Sequence, residues 1–521
     1  MLPSLRRATR PLLAGALVAL AVVSSAAASQ PAPAAPGALA PDSVRADLAL
    51  LRGALAAYHP ALDVHGQRGA FEAHVDSFDA ALAARRRPVG PREAAAIVAR
   101  ALAVVRDGHT RLNPLNQSGP VQDALWGGRT ALPFAFIVAG DGDAERLVVT
   151  RDLSGHLPPG TEVLAIDGRP VMQWLDRLQA LSPGDGRETD GLRRARLGTS
   201  RADLSESGWP LADVLAPLAF PDLPAEVRLV VRRPGAGAEA HARVRRLTRA
   251  ERTERLRAAG ALEFGDERAW EARMLDGETG YLRLGSFLSY RFSEPADTLL
   301  ARTLAGLRHR GARRLVLDVR GVQGGTLGGE RVARFLARRA LPCLRETVEI
   351  ASDRADPAYF PYLSSMGGGD GWKQPLPSQA VRALGDGRFE LLAVPPCDAG
   401  PQPGAAWDGP VAVLADAHNE SAPFRLLRAV RAHGLGAVVG RPAGGNLAGT
   451  SGGVFVRLRL PRTGLAVDLP LFAYRPGDTS GGRSPTSGPL LPDVEVRWTA
   501  DDVAQGRDPD VEAALRWLGG Y

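Results

Sequence analysis

Residues 411–445 of the 521-residue chain read as strand, turn, helix and strand in succession, and this alternation limits the fold more than any other stretch. The apolar run 411–415 (VAVLA) reads as a buried strand. A polar turn, 416–420, leads to Ser421, with Pro423 just inside a helix whose apolar face carries Leu426, Leu427 and Val430. Residues 437–439 form a second short strand, closed by Gly440. The same rhythm precedes it: strand 280–284, helix 298–307, strand 314–319, then a helix with Val332, Phe335 and Leu336 inward. Such units cross over right-handedly and build a largely parallel sheet, which puts the chain in the α/β class. Ligands of such sheets gather at the carboxyl ends of the strands. Gly324-Gly325 and Ser421 each lie just past one of these ends.

A serine at a strand-to-helix turn has two readings. It is an N-cap, accepting a bond from an unpaired backbone N–H. Or it is a nucleophile on a tight turn, with the first N–H groups of the helix aimed where an oxyanion would form. Ser is a common N-cap, so the turn alone favours the first.

Upstream the pattern changes twice. Val44, Leu48, Leu51, Leu55 and Tyr58 recur at helical spacing, as do Phe71, Val75, Phe78 and Leu82. A third helix starts near Pro91, and Gly108 suits its C-terminus, which puts His109 on a loop. From 131 to about 248 short strands alternate with turns: 133–138, 146–149, 163–166 and 227–232. A Pro-Gly turn, a strand and an Asp-Gly turn at 157–171 resemble the late hairpin of a PDZ domain, and an ordinary β hairpin reads the same way. Residues 340–410 are turn-rich and read as an irregular insertion, 454–460 and 465–471 as a hairpin, and 493–496 as a last strand.

The first 28 residues have the build of a secretory signal peptide: Arg6, Arg7 and Arg10, then the apolar run 12–23, then small residues at 26–28. Residues 29–41 are an Ala/Pro-rich linker. No later segment has the length of a membrane span. The expectation is therefore a periplasmic or secreted protein without an integral membrane segment after cleavage. The net charge of +7 comes from scattered arginines. The longest basic run, Arg85-Arg86-Arg87, lies beside a proline-containing loop without any nucleic-acid motif, so no nucleic-acid partner is expected. The two cysteines, Cys343 and Cys397, are free to pair in an oxidising compartment, and spacing does not decide whether they do. No Cys/His cluster has ligand spacing, so neither metal nor cofactor is expected.

Read together, the strand-end glycines, the serine turn and the next glycine-rich loop resemble the C-terminal processing, or tail-specific, serine peptidase family. The resemblance covers most of the chain after residue 41. Residues 318–325 (DVRGVQGG) look like that family's strand and glycine-rich loop, Asn419-Glu420-Ser421-Ala422 like its nucleophile turn, 440–445 like the following loop, and Leu491-Pro492-Asp493 like its closing motif. Tyr58-His59-Pro60 and 107–112 (DGHTRL) resemble the subgroup related to the tricorn core, which uses a histidine base. The fold this implies is a helical region at 42–125, a PDZ-like β domain at 126–250, and a crotonase-like (ClpP/crotonase-like) α/β core with parallel strands at 265–521, carrying the insertion 340–410. There are departures. Asn446 stands where serine–lysine members carry lysine, Phe424 stands where an acid often follows the nucleophile, and Thr486-Ser487-Gly488 offers no acid before the closing motif. The third member of a triad is thus unassigned, with Asp478 a candidate by rough position only.

The resemblance implies an exported serine endopeptidase acting on a peptide or protein. Ser421 is a poor nucleophile unless a base takes its proton. His109 is the best base available, because a neutral imidazole accepts a proton near neutral pH. His418, three residues before the serine, and His59, near a helix end, are the competitors. The Ala422 N–H and Gly324, or Gly325, supply the oxyanion donors. The alternative is a weak or inactive homologue that binds peptides or apolar ligands. The oligomeric state is left open.

Overall fold

The structure is a computed structural model. It describes residues 37–62, 67–140, 145–206, 208–342, 344, 346–367, 369–385, 387–392, 406–477 and 487–520. The signal-peptide reading, most of the linker, both cysteines and Asp478 lie outside the described residues. The described residues belong to one compact unit, 33–521.

Four helices open this unit: α1 (Pro41–Tyr58), α2 (Arg68–Ala83), α3 (Pro91–Val105) and α4 (Gly119–Trp126). Pro91 begins α3, Glu93 lies in its first turn, and Ala94, Val98, Ala101, Leu102 and Val105 bury one stripe. The helix does not run on to Gly108. It stops at Arg106, which takes the left-handed conformation at φ 58°. Tertiary contacts hold that residue there: its carbonyl accepts the Gly186 N–H at 3.0 Å, and its guanidinium pairs with Asp190 at 2.6 Å.

The next elements are β1 (Phe134–Ala139), β2 (Arg146–Asp152), β3 (Glu162–Ile166), β4 (Arg169–Pro170), α5 (Val171–Gln179), α6 (Asp190–Ala195), α7 (Leu211–Ala219), β5 (Glu226–Arg232), β6 (Glu239–Arg245) and α8 (Arg249–Ala258). The strands form an antiparallel sheet ordered β1-β2-β3-β5-β6, with β4 turned back on β3. Trp174 of α5 is fully buried and stacks on Phe220 at 6.1 Å between ring centroids.

Then come β7 (Trp270–Met274), β8 (Thr279–Leu284), α9 (Ala296–His309), β9 (Arg314–Asp318) and α10 (Gly329–Ala333). Four strands follow within 340–410: β10 (Glu346–Ile350), β11 (Leu363–Ser365), β12 (Val381–Gly385) and β13 (Arg388–Leu391). The chain ends with β14 (Val411–Ala415), α11 (Ser421–His433), β15 (Ala437–Gly440), β16 (Thr450–Arg459), β17 (Ala466–Pro476), β18 (Val494–Glu495), α12 (Ala500–Ala504) and α13 (Pro509–Leu518).

Stretch 340–410 is therefore not wholly irregular. Its strands join the β16–β17 hairpin in a second sheet ordered β11-β16-β17-β10-β13-β12. They escape a reading by periodicity because β12 is mostly exposed and β13 only half-buried, so neither alternates apolar with polar.

The third sheet, β18-β15-β14-β9-β8-β7, is parallel from β18 to β8, with β7 antiparallel at the edge. Its central strands are apolar on both faces because helices cover both. Leu315, Leu317, Val411 and Val413 pack with α9, α10 and α11, while Val316, Ala412, Leu414 and Val439 pack with α13. Leu414 lies opposite Asp318 and Ala415 opposite Gly440, so β9, β14 and β15 end at one edge of the sheet. A different apolar cluster joins α1 to α4, the first sheet and the β16–β17 hairpin, through residues such as Leu51, Leu102, Val149, Trp174, Leu458 and Leu469.

Gly329 lets α10 lie against the start of α11. A Cβ there would sit 2.1 Å from the Ala422 carbonyl oxygen and 2.3 Å from the Leu426 nitrogen. Those neighbours are backbone and cannot swing aside. Gly329→Ala should lower stability by ~1–3 kcal/mol through overpacking, read as a fall in the denaturant midpoint without a change in slope.

Candidate active site

The turn after β14 is stitched to the loop after β9. Asn419 donates its amide to the carbonyls of Val319 (2.6 Å) and Val322 (3.2 Å) and accepts the Asp416 N–H (2.9 Å). Asp416 in turn accepts the N–H groups of Gly321 (3.1 Å) and His418 (3.0 Å). These bonds bring Gly324 beside Ser421: a Cβ on Gly324 would lie 3.2 Å from the serine Cβ and 3.7 Å from its Oγ. Gly325 faces elsewhere, since a Cβ there would meet the Phe287 carbonyl oxygen at 2.2 Å. Both glycines have φ near +150°, which a side chain would disfavour.

Ser421 is not the helix cap. Glu420 occupies that position, and Ser421 is the first helical residue, at φ 52°. A non-glycine residue in the left-handed region costs of order 1–2 kcal/mol. Its hydroxyl is partly exposed and makes no hydrogen bond among the described residues. The Ala422 N–H belongs to the first turn of α11, where N–H groups have no partner within the helix.

His109 sits on the loop after α3. That loop is fixed by Asp107, whose buried carboxylate accepts four donors: Ser451 Oγ (2.6 Å), the His109 N–H (3.0 Å), Thr110 Oγ1 (2.7 Å) and His59 Nε2 (2.7 Å). His59 Nδ1 accepts the Ala61 N–H at 3.1 Å, so Nε2 carries the proton. Burial alone would raise the Asp107 pKa, but the His59 bond, with His109 and Ser451, holds it well below the usual carboxylate range. The His109 ring lies 5.6 Å from that of Phe455. Its Nδ1 is buried, has no hydrogen bond and stands 3.9 Å from Asp107 Oδ1.

The His109 loop and the Ser421 turn meet. A Cβ on Gly108 would lie 3.2 Å from Glu420 Oε1, so the residue before the histidine touches the residue before the serine. The two competing histidines are committed elsewhere. His59 serves Asp107, and His418 donates from Nε2 to the Gly198 carbonyl (3.1 Å) with Nδ1 3.5 Å from Asp416. Burial pulls the His418 pKa down, but Asp416 outweighs it and the net shift is upward. Asn446, in the place of the absent lysine, is fully buried and structural. It donates to the Asp185 carbonyl (3.1 Å) and accepts the N–H groups of Ala448 (2.8 Å) and Gly488 (3.0 Å). Phe424 is buried against Gly445.

Sequence reasoning missed two features of this region. One is Asp185, within 183–186 (PGDG), where an aspartate reads as a turn residue. It is buried, accepts the Gly108 N–H at 2.7 Å, and is raised to about 7 by burial and by the charges of Glu420 and Asp107. Asp107, His109 and Asp185 each offer an atom within 4.8 Å of the others, close enough to hold a cation in geometric terms. The other is the buried pair Arg196–Glu420, joined at 2.8 Å (Nη2 to Oε2) and by a second contact between Nη1 and Oε1. Arg196 lies far upstream, and only folding reveals it.

A hydroxyl on a strained strand-to-helix turn, a glycine backbone beside it and an imidazole loop packed against that turn are parts that acyl transfer chemistry can use. Residues 278–496 match the model of peptidase family S41. That stretch, under half of the chain, thus resembles the core of a serine-type peptidase. No curated protein sequence matches the chain significantly. Among solved structures, the crystal structure of mature CPAF is 14% identical with a TM-score of 0.58, the match covering 92% of this chain and 96% of that one. Mature CPAF complexed with lactacystin is also 14% identical, with a TM-score of 0.59 over 92% and 97% of the two chains. At that identity the likeness shows a shared fold.

Removing Arg196 would leave Glu420 buried without its counter-charge. Arg196→Met should destabilise the protein by ~3–5 kcal/mol, measured by urea denaturation. Adding Glu420→Gln should recover part of that loss.

Proposed function

We propose that the chain is an exported serine endopeptidase in which Ser421 attacks the peptide carbonyl. His109 takes the serine proton as general base and returns it to the leaving amine as general acid. The N–H of Ala422 and the backbone at Gly324 bind the oxyanion. The observation that carries this is the positive φ of Ser421, next to Gly324 and against the His109 loop. A serine is placed in that conformation at a local cost, which fits a hydroxyl held up for reaction rather than one capping a helix. The S41 match favours an active peptidase over the ligand-binding alternative.

The Arg-rich start, the apolar run 12–23 and the small residues after it support export to the periplasm or medium. Among the described residues no helix is long and apolar enough to cross a membrane. The antiparallel sheet β1-β2-β3-β5-β6 and its β3–β4 hairpin at Asp167-Gly168 support the PDZ-like reading of 126–250. A substrate segment would add to an open edge of that sheet as a strand. The parallel sheet with helices on both faces supports the crotonase-like reading of the core.

Ser421→Ala should lower hydrolysis of an unstructured protein substrate by ~10⁴–10⁶-fold, and His109→Gln by a similar factor. Steady-state proteolysis and labelling by a fluorophosphonate probe give the readout. Equal rates in wild type and Ser421→Ala remove the assignment.

A further inference from the structure

The site as described lacks a group to hold His109. Its Nδ1 is buried and unpaired, and the acid that would complete a triad has no place in the sequence motifs. Two buried carboxylates stand next to the ring, Asp107 and Asp185. Their hydrogen bonding tells them apart.

Asp107 is saturated. Each of its oxygens already accepts two donors: Oδ1 from Ser451 and the His109 N–H, Oδ2 from His59 and Thr110. The distance from His109 Nδ1 to Asp107 Oδ1, 3.9 Å, is too long for a hydrogen bond. Asp107 thus fixes the backbone on which His109 rides, and has little capacity left for the ring.

Asp185 is under-used. Oδ1 accepts one strong bond, from the Gly108 N–H at 2.7 Å, and Oδ2 has only the Thr450 hydroxyl at 3.5 Å. Its carboxylate therefore keeps lone pairs free, within 4.8 Å of a His109 ring nitrogen and bonded to the residue before it; neither acid is at hydrogen-bond distance from the ring at rest, so a small turn of the imidazole toward Asp185 closes the bond, and only Asp185 has the capacity to accept it. Its own position is held from behind, since Asn446 bonds its carbonyl and Thr189 Oγ1 donates to the same carbonyl at 2.7 Å.

We propose that Asp185 is the positioning residue of this site: it accepts the Nδ1–H of His109, so that Nε2 is left bare toward Ser421. This rests on the reading of Ser421 and His109 as nucleophile and base. A carboxylate in that role fixes the tautomer and stabilises the imidazolium formed when the serine gives up its proton; it does not itself take the proton. The arrangement also explains why no acid is needed near the closing Leu491-Pro492-Asp493 motif. The acid reaches the ring from the loop between α5 and α6, in a different part of the chain.

The charged groups facing Asp185 are Glu420 from the serine turn, Asp107 and His109 from the loop after α3, and, next to Glu420, Arg196 and Arg111. The first two raise its pKa and His109 lowers it, the net value being about 7. The sign follows. Below that value the carboxyl is protonated and cannot accept the Nδ1–H; above it the carboxylate forms and can. Reactivity of Ser421 should rise through about pH 7 for this reason.

The test uses the full chain and an alkyl fluorophosphonate as probe, with labelling rate measured across pH. Asp185→Asn keeps an acceptor for the Gly108 N–H but can present an amide donor to His109. It should slow labelling at alkaline pH by ~10²–10⁴-fold, with the saturation constant for the probe unchanged, and displace the pH midpoint of the rise. Labelling within about threefold of wild type overturns the proposal, as does a loss equal at every pH with the midpoint of the rise unmoved. If the variant does not fold, imidazole ¹⁵N spectra of the wild type decide, the His109 signals being assigned by difference against His109→Gln. A resting ring protonated at Nδ1 supports the proposal, and one protonated at Nε2 overturns it. Failure of the underlying assignment looks different: Ser421→Ala would label as fast as wild type, whatever the tautomer of His109.

Discussion

A single buried carboxylate, that of Asp107, joins the parts of this protein that matter for its site. An ionised carboxylate taken out of water costs several kcal/mol unless donors replace its hydration. The donors here come from three segments: His59 after α1, Thr110 and the His109 N–H on the loop itself, and Ser451 on β16. Satisfying one anion therefore draws the helical region, the loop and the second sheet to one point. The backbone pairing of Arg111 with Asp468, and the bonds from Asn113 and Asn116 to that aspartate, extend the join along β17. His109 inherits its position from this junction.

The serine side is built on different physics. Asn419 and Asp416 tie the turn after β14 to the loop after β9, so the two strand ends cannot drift apart. Glycines then set the spacing. Gly444 lies against the Ala417 carbonyl and Gly440 against that of Ala415, each closer than any Cβ would allow. With its surroundings over-determined in this way, the turn can hold Ser421 at a positive φ. The conformational cost is met once, on folding.

Between the two halves lies a concentration of buried charge. Asp107, Asp185 and Glu420 are all buried near one another, with Arg196 paired to Glu420. Like charges this close cannot all ionise freely, and burial and mutual repulsion push Asp185 and Glu420 upward while hydrogen bonds hold Asp107 down. Such separation of pKa values among neighbouring acids is frequent at reactive sites and also arises in structural ion-pair networks. The Arg320 network is of the second kind, with Asp318 held down by the arginine and Asp510 pushed up by burial. That arginine is held by Asp318, Asp508 and Asp510 and pins the start of the glycine loop to α13.

Local pattern determined the elements. The runs at 314–319 and 411–415 read as strands because both faces are apolar, and α11 reads as a helix because its apolar stripe repeats at helical spacing; the structure has β9, β14 and α11 there. The serine turn and glycine loop were legible for the same reason, since each follows a strand in sequence. The strands of 340–410 were not, because half-exposed edge strands carry no period. Nor was the left-handed stop at Arg106, which a distant carbonyl contact and an ion pair enforce. Whether Ser421 caps its helix or stands up from it, which of the two glycines faces it, and which acids surround His109 were decided only in three dimensions. Those outcomes depend on hydrogen bonds and desolvation between segments far apart in the chain, and such energies leave no trace in the spacing of residues along it.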